Sequence, residues 1–147
     1  MSNEILLIER DIQTALGRYA RACDTRDWAL FDTVFAPDAI ADYGNGLVLE
    51  GREAIIASIR SYLGGCGPSQ HMLGNFVVTA AGKSADSRCY VRAFHRGRGD
   101  DAGVTYEVMG EYRTRWRRLA AGWRAVEWGM AVDCELGSRD ILGPSDA

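Results

Sequence analysis

Histidine is scarce in this chain. His71 and His95 are the only two among 147 residues, so any chemistry that needs an imidazole runs through one of them. Cysteine occurs at positions 23, 66, 89 and 134 with neither a C-x-x-C pair nor regular spacing. That argues against a structural zinc site or a disulfide framework and for reduced, mostly buried thiols. A long apolar run is also missing: "MSNEILLIERDIQ" interrupts its aliphatic residues with charges every few positions. Neither a signal peptide nor a membrane span is expected, and a cytoplasmic protein is. The net charge is only −3, too small for a global field that would hold a polyanion, despite the local cluster "RTRWRR" at 113–118. Nucleic acid is not expected as a partner.

What is present suits one domain with one core over residues 1–136. Ile5, Ile8, Ile12, Leu16, Tyr19 and Cys23 recur at steps of three and four, the stripe of an amphipathic helix that ends near Asp24. "CDTRDWALFDTVF" supplies capping residues and then Trp28, Phe31 and Phe35, which predicts a short second helix stopping before Pro37. "AIADYGNGLVL" at 39–49 reads as a hairpin around a Gly-Asn-Gly turn. "REAIIASIRSYL" reads as a third helix. Extended segments follow at about 70–80, 86–95, 104–118 and 122–135, patterned as an antiparallel meander. The segment from Gly137 to Ala147, rich in Gly, Ser, Asp and Pro around Ile141 and Leu142, reads as a flexible tail or loose lid.

Strand alternation assigns faces. Cys89, Val91, Ala93 and His95 share one side, opposite Arg88, Tyr90, Arg92 and Phe94. Tyr106, Val108, Tyr112 and Trp116 likewise oppose Arg113, Arg115 and Arg117, so the arginine run is an outward face. Three helices followed by a long sheet predict an α+β domain whose curved sheet wraps the helices around a cone-shaped hollow.

Five side chains in this layout carry candidate chemistry: Tyr19, Asp24, Tyr43, His71 and His95. A carboxylate at the end of the first helix can reach a histidine at the start of a strand. It would fix the ring's tautomer and stabilise its charged form, leaving the second nitrogen to move protons. Asp24 can equally cap the second helix, a role for which Asp27 competes. Residues in such places are more often satisfied core groups, and that reading stands beside the catalytic one for each histidine and tyrosine.

"ACDTRDWALFDTVFAPDAIADY", "SQHM", "RAFHRG" and "GWRAVEW" together resemble the scytalone dehydratase branch of the SnoaL-like, NTF2-like superfamily over roughly residues 10–136. The resemblance implies a catalytic aspartate at Asp24, a tyrosine of the first strand at Tyr43, and a histidine pair at His71 and His95. Scytalone dehydratases carry a tyrosine where this chain has Cys23, and a serine and asparagine where it has about Gly110 and Tyr112. Tyr19, five positions before Asp24, is similar to the Tyr-x4-Asp arrangement of bacterial bile-acid dehydratases, in which an aspartate stands at the place of His95. A shared active-site plan with a different substrate is implied.

The reaction so implied is loss of water from a hydrophobic hydroxy-carbonyl compound, polycyclic or polyketide-like, without a cofactor. His71, oriented by Asp24, would shuttle the proton; His95 would assist at the leaving group or the carbonyl; Tyr43 with Tyr19 would polarise the carbonyl. Trp28, Phe35, Phe76, Val91, Val108, Tyr112, Trp128 and Met130 are the expected lining of the pocket, or simply core. Related SnoaL-like cyclases and isomerases, and a non-catalytic binding module or oxygenase small subunit, are the alternatives. A homotrimer or homodimer is implied by resemblance.

Overall fold

A computed structural model describes residues 3–143. Helix α1 (Asn3–Thr25) buries Ile8, Ile12, Leu16, Tyr19 and Cys23 along one face, as the periodicity predicts. Its stripe engages the core only from Ile8, for Ile5 is 37% exposed. The second helix is a single 3-10 segment, Trp28–Thr33. Strand β1 (Phe35–Asp42) begins earlier than the hairpin pattern suggests and contains Pro37. A register break between Phe35 and Ile40 accommodates that proline, which has no N–H to give the ladder. β1 turns through Gly44 and Gly46, both at positive φ, into β2 (Val48–Glu50), and α2 (Arg52–Leu63) follows with Ile55, Ile59 and Leu63 inward.

β3 (Ser69–Ala81), β4 (Ser84–Arg96), β5 (Thr105–Leu119) and β6 (Gly122–Gly137) form the expected antiparallel meander. The full order is β2-β1-β6-β5-β4-β3, with β1 parallel to β6. The result is a mixed, open, curved sheet holding the helices on its inner side, the cone-shaped α+β architecture expected. Ile12, Leu16, Phe31, Phe35, Ile55, Trp116 and Trp128 fill the core between the layers.

Alternation fails where a strand carries an extra residue. In β6, Cys134 pairs with Met109 while Val132 pairs with Gly110, so Asp133 has no opposite number. This bulge reverses the parity of the strand end and turns Glu135 inward. β3 shifts register between Gly74 and Val77 around Asn75, whose φ is +53°.

One expectation holds with added detail and one needs correction. The arginine face is outward, as alternation predicts, and its charges are paired: Arg113 to Glu111 at 2.7 Å, Arg115 to Asp86 at 3.3 Å and Arg117 to Asp38 at 3.8 Å. The segment read as a flexible tail packs as far as Gly143. Ile141 is buried, Gly143 N–H donates to the Tyr62 carbonyl at 2.8 Å, and Gly65 N–H donates to the Gly143 carbonyl at 2.7 Å. The apolar pair outweighs its polar surroundings because it has core surface to cover. Residues 144–147 of that expected tail lie outside the described residues.

Candidate active site

α1 ends in a Schellman turn: Asp27 N–H donates to the Ala22 carbonyl at 3.0 Å and Arg26 N–H to the Cys23 carbonyl at 3.4 Å. Arg26 takes the left-handed position at φ +55°, where glycine is usual and a side chain costs roughly 1–2 kcal/mol. Asp27 then caps the 3-10 helix, accepting from Leu30 N–H, which leaves Asp24 free of capping duty.

Asp24 faces the start of β3 instead. Its Oδ1 accepts from His71 Nδ1 at 2.7 Å and from the Ser69 hydroxyl at 2.9 Å, and its Oδ2 accepts from His71 backbone N–H at 2.8 Å. Burial raises its pKa; the bonds from the His71 ring and backbone, the charge of His71 and the bond from Ser69 lower it by more. The carboxyl is therefore held below the ordinary carboxylate range. A charged Asp24 makes His71 Nδ1 the protonated nitrogen and leaves Nε2 for the cavity that the ring lines.

The second histidine is different in kind. His95 is 4% exposed, and its Nδ1 donates to the Tyr106 carbonyl at 3.1 Å, so Nε2 bears the lone pair. Burial first, then the neighbouring His71, push its pKa down to about 4. His95 is neutral at physiological pH and acts as an acceptor. It stacks on Tyr106, centroids 5.4 Å apart.

Opposite stand the two tyrosines. Tyr19 and Tyr43 share a hydroxyl hydrogen bond of 2.8 Å, and burial raises the pKa of both, so both stay protonated. Tyr43 follows β1 immediately rather than lying within it. One proton bridges the pair and the second remains for another acceptor.

These groups converge on one cavity of about 250 Å³, lined by Tyr19, Cys23, Tyr43, His71, His95 and Tyr106 among others. Of the expected lining residues, Val108, Tyr112 and Met130 belong to it. Trp28, Phe35, Phe76, Val91 and Trp128 do not, and their role as lining is corrected. Phe35, Val91 and Trp128 are buried core. Phe35 and Trp128 instead cage Tyr19 from behind, with Trp128 stacked on it at 4.2 Å. Trp28 packs near-parallel to Phe31 with Arg60 over its ring, and Phe76 packs on the core past the β3 bulge.

Sequence reasoning passed over three groups. Ser69 and Arg26 support Asp24, and only the three-dimensional turn reveals them. Glu135 enters through the β6 bulge and accepts from the Tyr106 hydroxyl and, at 3.4 Å, from Arg139. Burial and that carboxylate push the Tyr106 hydroxyl up to about 12. A wider open groove of about 670 Å³ runs along Ile40, Arg88, Arg113 and Arg115 and contains none of the five candidate groups. Among the described residues no helix is long and apolar enough to cross a membrane.

Known proteins resemble the chain at several levels. Residues 4–129 match the SnoaL-like domain. An uncharacterised protein of Mycobacterium tuberculosis strain H37Rv is 39% identical over 79 residues, 53% of this chain and 54% of that protein; the chain thus spans about half the length of the curated relatives it matches. A crystallised candidate aromatic ring hydroxylase from Novosphingobium aromaticivorans superposes with a TM-score of 0.82 at 31% identity, covering 92% of this chain and 96% of that one. A candidate scytalone dehydratase from the same organism (TM-score 0.81, 15% identity, 100% and 98% covered) shares the fold. So does a hexachlorocyclohexane dehydrochlorinase (TM-score 0.81, 13% identity, 93% of each chain). With 126 consecutive residues accounted for, this chain belongs to the SnoaL-like family and has the NTF2-like fold.

Proposed function

We propose that the protein is a cofactor-independent dehydratase that eliminates water from a hydrophobic β-hydroxy carbonyl compound. The observation that carries this reading is the contact between Asp24 and His71 at 2.7 Å with a second, neutral imidazole in the same cavity. His71 Nε2 removes the α-proton, and Asp24 stabilises the imidazolium that results. The carbonyl oxygen gains the charge and accepts from the Tyr19–Tyr43 hydroxyl pair. Collapse of the enolate expels the β-hydroxyl, which takes the proton back from His71 Nε2 and leaves as water. His95 Nε2, an acceptor, holds the O–H of that leaving group and so turns its oxygen lone pair toward His71. Positioned acid–base catalysis supplies about 10²- to 10⁴-fold, and donation to the oxyanion a comparable factor.

The cavity bounds the substrate. At about 250 Å³ it lies just below the usual range of about 300–1,000 Å³ for drug-sized ligands. A compact substrate of one or two rings fits this better than a large polycycle. The test is a panel of aromatic and alicyclic β-hydroxy ketones, followed by the absorbance of the conjugated enone. Ring closure or double-bond migration without loss of water would move the protein to the cyclase or isomerase reading, which uses the same acid and base.

A second reading follows from the 31% identical neighbour, whose description names aromatic ring hydroxylation. Here the chain binds a ring compound and serves a larger oxygenase. Co-purification with an iron–sulfur partner, together with no turnover of any hydroxy ketone, would favour it. A homodimer or homotrimer in the cytoplasm belongs to the dehydratase reading by family resemblance and is checked by sedimentation.

A further inference from the structure

We propose that Arg26 and Ser69 are positioning residues that hold Asp24 as a pure acceptor and thereby lock His71 with Nδ1 protonated and Nε2 bare. This rests on the dehydratase reading for its catalytic meaning but not for its structural content. Arg26 Nη1 donates to Ser69 Oγ at 2.7 Å, and Ser69 Oγ stands 2.9 Å from Asp24 Oδ1. A guanidinium has five donors and no acceptor. The serine proton therefore cannot point at Arg26 and is directed to the carboxylate. The order Arg26 to Ser69 to Asp24 is set by chemistry rather than by choice of rotamer.

Three donors then converge on Asp24: the Ser69 hydroxyl, the His71 ring and the His71 backbone. A carboxylate so saturated keeps its charge and can only accept, so the neutral imidazole facing it presents Nδ1–H.

The same guanidinium fixes where these groups sit. Nε donates to the Leu63 carbonyl at 3.0 Å, Nη2 to the Gly67 carbonyl at 2.6 Å and Nη1 to the Cys23 carbonyl at 2.6 Å. One planar fork thus ties the end of α1, the end of α2 and the loop that delivers Ser69 and His71 to β3. Lysine has one nitrogen and cannot serve four acceptors. The left-handed backbone of Arg26 is the geometry that aims this side chain back at its own helix end, which accounts for a large residue at a glycine position.

The experiment is nitrogen NMR of the substrate-free, ¹⁵N-labelled protein, in which only two imidazoles contribute and His95→Gln assigns them. At a pH where the rings are neutral, the parent should show one tautomer for His71 and a slowly exchanging Nδ1 proton. Ser69→Ala should speed exchange of that proton by about tenfold, the weight of one hydrogen bond, and bring in the second tautomer. Ser69→Thr, which keeps the hydroxyl, should restore the parent signature. Arg26→Lys should behave as Ser69→Ala does. An unchanged tautomer and exchange rate in Ser69→Ala, or a parent-like spectrum in Arg26→Lys, would overturn the proposal. Because Ser69→Ala leaves the other three Arg26 bonds in place, it reads the relay even if an Arg26 variant fails to fold. Absence of turnover on every substrate would sink the dehydratase reading and leave this result standing.

Discussion

The imidazoles of His71 and His95 stand 5.5 Å apart between centroids and cross at 86°, yet their surroundings give them opposite tasks. His71 is backed by a carboxylate at 2.7 Å; His95 is backed by a backbone carbonyl and buried. One can take and return a proton, and the other, with Nδ1–H committed to the Tyr106 carbonyl, offers the cavity only an acceptor. The two rings are not interchangeable, and their variants should differ.

On the dehydratase reading, His71→Ala should lower kcat by 10²-fold or more on a hydroxy ketone substrate, with circular dichroism unchanged. A folded variant that kept more than about a tenth of the parent rate would exclude acid–base catalysis by this ring.

His95 should make stability depend on pH. Its pKa in the folded protein is about 4, against about 6.5 unfolded. The unfolded chain therefore binds the extra proton first as pH falls, and stability present above pH 6.5 is lost on the way down to about pH 4. Urea denaturation at pH 7.5 and 4.5 should differ by about 2–3 kcal/mol from this group, and His95→Gln should remove that part of the difference.

Tyr43→Phe takes away one of the two hydroxyl donors that the dehydratase reading assigns to the substrate carbonyl and leaves the buried Tyr19 hydroxyl without its 2.8 Å partner. A loss of about 1–3 kcal/mol in stability should accompany at least a tenfold loss in kcat/KM. Equal stability in thermal melts would show that Tyr19 finds another partner.

Trp128→Ala should act on the fold. The ring is 2% exposed and stacked on Tyr19, so truncation should cost about 3–5 kcal/mol by denaturant titration. Met130→Ala, on the cavity wall, should raise KM with a smaller effect on stability. The reverse pattern would restore Trp128 to the lining.

Local pattern made much of this legible. The α1 stripe, the Gly-Asn-Gly turn and the alternation of Cys89, Val91, Ala93 and His95 each follow from short-range sequence, and all are present. The contest between Asp24 and Asp27 could not be resolved that way, because both sit at suitable cap positions. The Schellman turn decides it by placing Asp27 at the cap. Phe35 and Trp128 were misplaced for a related reason: alternation names a face, and the same face supplies both the cavity wall and the core behind Tyr19. The parallel pairing of β1 with β6 joins residues about 90 positions apart, beyond any local signal. Ser69, at the first position of β3, and Arg26, just past α1, carry no distinguishing local pattern until the chain brings them together.

The extra residue in β6 has an evolutionary corollary. Deleting Asp133 would restore simple pairing and leave Glu135 opposite Val108, whereas closing the bulge at unchanged length, with Asp133 paired to Met109, would bring Cys134 to the place Glu135 now holds beside Tyr106. A relative whose β6 paired without the bulge at the same length would exchange a carboxylate for a thiol at the rim, while one that lost the codon for Asp133 would keep the carboxylate. Diversification of ligand preference on this scaffold is thus open to shifts of pairing register at a strand end, a route that residue-by-residue comparison of aligned positions would overlook.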